Sequence, residues 1–306
     1  MGTIGELGEF GLIGLLTRRL PRGPDVRLGP GDDAAVVAAP DGRAVATTDL
    51  LVEGRHFRRD WSGPYDIGRK AAAQNLADVV AMGARPTALL VGFAAPLTTD
   101  AAWAEGLYDG LADECRAAGA SVAGGDVVGA DAITLAVTAL GDLGGRPPLT
   151  RSGARPGDVV AVRGRLGWSA AGLALLEEGR DGPAVLIGAH RRPEPPYAAG
   201  AEARAAGATA LLDVSDGLVQ DLGHIAASSG VRIDLDSSAV PVPDVLGPGG
   251  LRHALTGGED HAFAGTFPAE AVLPSSWSPV GVVAEGTGVL VDGREPGRGG
   301  WDHFRA

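Results

Sequence analysis

Hydrophobic patterning along this chain alternates between strand-like and helix-like periods, once on each side of a turn-rich stretch. That stretch is GDLGGRPPLTRSGARPGD at 141–158, where Gly and Pro punctuate any continuous element. Before it, residues 5–20 read as an amphipathic helix, 34–38 and 43–52 as strands, and 66–83 as a helix. A strand at 87–93, a helix at 100–118, a short strand ending at GGD and an alternating strand at 132–140 follow. After it come a strand at 159–162, helices at 168–178 and 200–206, a strand at 210–214, a helix at 218–228 and a strand at 231–235. Short strands and turns fill the chain from 254 onward. Mixed elements in both halves predict α/β or α+β layers. The 306 residues suffice for two domains with separate cores, drawn at 1–148 and 149–306.

Seven aspartates lie where a strand or glycine turn ends: Asp32, Asp33, Asp49, Asp78, Asp126, Asp213 and Asp216. Gly, Ala, Val and Leu flank them, which predicts partial burial. Clustered, partly buried carboxylates are costly unless a cation compensates them. Oxygen donors gathered from several loops suit Mg²⁺, a hard ion that keeps some of its waters. The helix at 66–83 fits this: Ala72, Leu76, Val79, Val80 and Gly83 share one face, while Asn75, Asp78 and Met82 share the adjacent one.

Composition narrows the chemistry. A net charge of −12 argues against nucleic acid and anionic membrane as partners. Lys70 is the only lysine, so no GxxxxGK[ST] phosphate loop can be written and Arg, backbone N–H groups and metal must hold any phosphate. The single cysteine, Cys115, shares a helical pattern with Trp103, Leu107 and Leu111 and reads as a buried structural thiol. No signal-peptide pattern is apparent, and the longest apolar run, Ala88–Leu97, is too short to span a bilayer. A cytoplasmic enzyme is the expectation.

Each motif has an ordinary reading beside its functional one. GPGDDAA (29–35) is a tight turn delivering two carboxylates to opposite faces. In TTDLLVEGRHF (47–57), Thr47, Thr48 and Asp49 offer oxygen donors, although Thr also suits strands; His56 suits either a structural hydrogen bond or a phosphate. In AGGDVV (123–128), Gly124 and Gly125 could expose N–H groups beside Asp126. In DVSDGL (213–218), Ser215 or Asp216 could cap a helix, at an end that also receives anions. TGGEDHAF places Glu259 and Asp260 on a glycine turn, and Arg151 could reach a phosphate or remain solvated.

Taken in order with GEFGLI, NLADVVAMGA, LTRSGARPGD, LDVSDGLVQDLGHI and GWDHF, these motifs resemble the thiamine-monophosphate kinases of the aminoimidazole-ribonucleotide-synthetase superfamily, over essentially the whole chain. The resemblance implies a two-domain α/β fold. Its N-terminal sheet forms a barrel with that of a second subunit, making a homodimer, and a C-terminal α/β domain completes the substrate cleft. It implies phosphorylation of thiamine monophosphate by ATP, giving ADP and thiamine diphosphate, by direct in-line transfer assisted by several Mg²⁺ ions. The implied metal ligands are Asp33, Thr47, Thr48, Asp49, Asp78, Asp126, Asp213 and Asp216, drawn from both domains, with Asp49, Asp126 and Asp213 catalytic. Implied nucleotide contacts are Tyr108, Gly125, Asp126, Arg151 and Ser215; implied thiamine-phosphate contacts are His56, Glu259 and Trp301. This chain departs from the family pattern at Val127, where Thr is common, and at His261, where Tyr is usual. Selenophosphate synthetases use an N-terminal Cys or selenocysteine and a partner Lys, and hydrogenase-maturation relatives need a C-terminal Cys. Cys115, Lys70 and the HFRA end do not supply these.

Overall fold

A computed structural model describes residues 2–21, 23–28, 35–296 and 299–300. Asp32, Asp33 and Trp301 lie outside the described residues. The chain divides into two compact units, 1–79 with 84–146, and 80–83 with 147–306.

The first unit contains α1 (Ile4–Thr17), β1 (Val26–Leu28), β2 (Val36–Val37), β3 (Val45–Val52), α2 (Pro64–Ala81), β4 (Arg85–Ala95), α3 (Ala101–Ala118), β5 (Ser121–Gly129) and β6 (Thr134–Asp142). Its main sheet has the order β3-β6-β4-β5, with β4 and β5 parallel and the other pairs antiparallel. Helix α2 starts on Pro64, whose missing N–H costs nothing at a first helical position. Ala72, Leu76, Val79 and Val80 are buried as their shared face requires, and Asn75 is buried with them, whereas Gly83 lies past the helix end in left-handed backbone (φ 67°). Glycines let α2 and α3 touch backbone to backbone: a Cβ on Gly68 would collide with the Leu107 carbonyl, and one on Gly110 with that of Tyr65. Cys115 is fully buried on α3, and burial pushes its thiol up to about 12.

Strand β5 corrects the expected GGD turn. It runs on through Gly124, Gly125 and Asp126, paired to Leu90, Val91 and Gly92 after a register shift that leaves Ala123 as an extra residue. Gly125 is required by close approach, because a Cβ there would collide with the Val91 carbonyl oxygen.

The second unit contains β7 (Val159–Arg163), α4 (Trp168–Glu177), α5 (Ala184–Arg191), α6 (Ala199–Ala205), β8 (Ala210–Val214), α7 (Leu218–Ser229), β9 (Arg232–Leu235), a 3-10 turn (Asp244–Gly249), α8 (Gly250–Thr256), β10 (Ala262–Phe267), β11 (Ser278–Ala284) and β12 (Gly288–Val291). Its sheet order is β12-β9-β11-β7-β10-β8, antiparallel except for β12 with β9. Strand β8 is buried at every position and α7 packs Leu218, Leu222 and Ile225 into the same core. Each such leucine contributes roughly 2 kcal/mol by leaving water. Helix α5 was not expected from the sequence; its Leu186 packs with Ala171 of α4 and Leu246 of the 3-10 turn. Among the described residues no helix is long and apolar enough to cross a membrane.

Candidate active site

In the first unit, β3 is an edge strand, and its alternation turns Thr47 and Asp49 toward α2 and Thr48 and Leu50 away. Thr47 Oγ1 donates to Asp78 Oδ2 at 2.8 Å, and Gln74 Nε2 donates to Asp49 Oδ2 at 3.1 Å. The Asp49 backbone N–H donates to Asn75 Oδ1 at 3.1 Å, an acceptor that the edge position calls for. Gln74, Asn75 and Asp78 thus form one polar row on α2, at the three- and four-residue spacing of a helix face. Thr48 is not brought to this row. Its hydroxyl donates to the Val137 carbonyl at 3.0 Å and accepts from Thr138 at 3.1 Å.

Asp126 also departs from expectation. It is exposed rather than partly buried, and its Oδ1 accepts from the Val127 N–H at 2.9 Å. Register places it in the row of Leu50, Ala136 and Gly92, whereas Asp49 lies in the neighbouring row of Val137, Val91 and Gly125. Neighbouring rows face opposite sides of a sheet, so this unit does not bring the two carboxylates together.

His56 has the structural role considered for it: its Nδ1 accepts from the Val52 N–H at 3.0 Å, and buried Lys70 donates to its carbonyl at 3.3 Å. Tyr108 is buried on α3, its ring edge-on to Phe93 at 6.3 Å, and burial pushes its hydroxyl well above the usual value. Arg151 is exposed, and its carbonyl accepts from Ser229 Oγ.

The second unit concentrates its polar groups at the end of β8. Asp213 is buried there, with Oδ2 at 3.1 Å from Nδ1 of His261. The N-cap of α7 is Gly217, which has no side chain to bond the first turn. Instead Asp221 reaches back, its Oδ2 accepting from the N–H groups of Asp216 and Gly217, both at 3.0 Å. Burial, reinforced by the charges of Asp213 and Asp216, raises the Asp221 carboxyl to about 7.

The GGED turn docks on this junction. The Glu259 N–H donates to the Ser215 carbonyl at 2.7 Å, and that of His261 to Val214 at 3.0 Å. Glu259 and His261 both take left-handed backbone (φ 62° and 50°), a conformation costing side-chain-bearing residues on the order of 1–3 kcal/mol each. Asp260, between them, offsets that strain by accepting from the N–H groups of Gly167 and Ser169 at the start of α4. Desolvation nevertheless holds its carboxyl up at about 7.

The sequence reading missed Gln74, Asp221 and His190. Asp221 alone had a local signal, an acidic residue in a first helical turn. His190 Nδ1 lies 3.1 Å from Ser169 Oγ and 3.5 Å from Glu259 Oε2.

Among the described residues no group of three or more His, Cys, Asp or Glu side chains is placed to hold a metal ion. The donors occur in smaller sets: Thr47 with Asp78, Asp49 held to the same α2 row through Gln74, and Asp213 with Asp216, whose charges both act on Asp221. All are hard oxygens. Mg²⁺ is commonly held by one or two carboxylates together with water and substrate phosphate, so these sets fit it.

Two family models match the chain: AIR synthase related protein, N-terminal domain, over residues 31–143, and AIR synthase related protein, C-terminal domain, over 155–272. The thiamine-monophosphate kinase of Mycobacterium tuberculosis is 50% identical, covering 99% of this chain and 93% of the relative. That of Corynebacterium glutamicum is 44% identical, covering 99% and 95%. A solved structure of AaThiL complexed with AMPPCP and TMP superposes with a TM-score of 0.82 at 35% identity, covering 98% of each chain.

Proposed function

The chain belongs to the thiamine-monophosphate kinases of the AIR-synthase-related family, and from that premise we propose that it phosphorylates thiamine monophosphate with ATP, yielding ADP and thiamine diphosphate. The near-full-length match to the mycobacterial kinase carries this reading. The relative solved with an ATP analogue and TMP supports both substrates.

The acceptor is an anionic phosphate oxygen, so it attacks the γ-phosphorus in line without a side chain removing a proton. That matches a chain with one lysine, one buried cysteine and many carboxylates. Mg²⁺, when bound, neutralises the phosphates and aligns attacking and leaving oxygens. Asp49 and Asp78 with Thr47, and Asp213 with Asp216, hold the metals; Asp126 and Asp33 keep their expected roles as ligands. Gln74 and His261 orient Asp49 and Asp213 respectively. Gly125, Tyr108, Arg151 and Ser215 remain the nucleotide contacts, Tyr108 as a buried support. Glu259, His56 and Trp301 hold thiamine phosphate.

The N-terminal sheet also supports the expected homodimer. Leu50, Leu90 and Val128 are 57%, 36% and 61% exposed on one sheet face, which they share with Thr48 and Asp126, and a second copy would cover these apolar side chains.

Incubating the protein with ATP, Mg²⁺ and either thiamine monophosphate or thiamine tests the assignment. Thiamine diphosphate should form from the monophosphate; turnover of unphosphorylated thiamine alone would overturn it.

A further inference from the structure

We propose that His190 is a positioning residue that fixes the Glu259 carboxylate, and with it affinity for the cationic part of thiamine phosphate. The inference rests on the assignment of Glu259 to that substrate.

Three observations carry it. His190 is 5% exposed in the last turn of α5, yet its Nδ1 faces two oxygens, Ser169 Oγ at 3.1 Å and Glu259 Oε2 at 3.5 Å. A helix C-terminus favours a cationic ring, and Glu259 is the anion set against it. The contact is built from the backbone outward: a Cβ on Gly172 of α4 would strike the Leu186 carbonyl, so glycine there lets α5 approach and bring His190 to Ser169. Ser169 in turn gives its N–H to Asp260 at 2.8 Å. The left-handed turn at Glu259 and His261 is therefore tied to α4 at Asp260 and to α5 at Glu259.

A half-exposed glutamate on a strained turn has several rotamers to choose from. Holding one of them in advance lowers the ordering cost of binding, and the approach of His190 Nδ1 to Oε2 does so here. His190 thus acts through Glu259, as a positioning residue and not a catalytic one.

Steady-state kinetics separate this from a merely structural role. His190→Ala should raise KM for thiamine monophosphate about tenfold, with a much smaller change in KM for ATP or in kcat. His190→Asn should restore KM to within about threefold, because the Asn amide nitrogen can occupy the Nδ1 position. In a Glu259→Gln background, His190→Ala should add little, as expected of two groups acting as one. If Glu259→Gln raises KM and His190→Ala does not, the positioning proposal fails alone. If Glu259→Gln leaves KM unchanged, the substrate assignment fails and takes the proposal with it. An equal loss in both KM values and in kcat for His190→Ala and His190→Asn would also overturn it. Should the alanine variant not fold, Ser169→Ala is expected to raise the same KM, and no change there counts against the proposal.

Discussion

Nδ1 of His261 stands 3.1 Å from Oδ2 of Asp213, joining the turn before β10 to the end of β8. Both side chains are buried, so the ring limits which way the carboxylate can turn. Loss of a group that orients a metal ligand typically costs 10–100-fold in metal affinity. His261→Ala should therefore shift the Mg²⁺ dependence of ADP release upward by about tenfold or more. An unchanged Mg²⁺ titration would contradict this role.

Asp49 sits between two helix side chains, Gln74 on its carboxylate and Asn75 on its backbone N–H. Asp49→Asn changes charge with little change in shape. The expected result is a fall in kcat/KM of about 10²-fold or more, with the circular dichroism spectrum and melting temperature nearly kept. Normal turnover would remove Asp49 from the metal-binding set.

Leu50 lies on the face of β3 opposite to Asp49, and is 57% exposed. If a second copy covers that face, Leu50→Asp buries an unpaired charge in the interface, which is strongly disfavoured. Analytical ultracentrifugation should find the wild-type protein dimeric and this variant shifted to monomer. A monomeric wild type would rule out the dimer.

Asp260 makes stability depend on pH. Its folded-state carboxyl is raised by burial from 3.8 to about 7, and Asp221 is raised likewise to about 7. Between those values the folded protein keeps protons that the unfolded chain releases. The stabilisation is full below the unfolded value and is lost as pH rises through about 7. Melting temperature should decline from about pH 5 to about pH 8, and less steeply in Asp260→Asn. A steeper decline in that variant would reverse the assignment.

Much of this architecture is legible in the residues themselves. The α2 face of Ala72, Leu76, Val79 and Val80 can be read from period alone, because a helix packs by its own spacing. Strand β5 cannot be read that way. Its passage through Gly124 and Gly125 depends on pairing with β4, a partner some thirty residues away. Helix α5 is hidden because Pro183 and Pro193 bracket it and read as turn signals. The carboxylates of the site stand out by their apolar flanks, yet flanking residues do not report direction, so the opposite facing of Asp126 and Asp49 is visible only in the sheet register. Gln74, Asp221 and His190 have meaning only through contacts made by folding.

We expect this chain to transfer one phosphoryl group from ATP to thiamine monophosphate. Product analysis of a Mg²⁺-containing reaction by anion-exchange chromatography addresses it most directly. ADP and thiamine diphosphate should appear in equal amounts, and excess EDTA should stop both. Formation of AMP in place of ADP, or ADP without thiamine diphosphate, would contradict it.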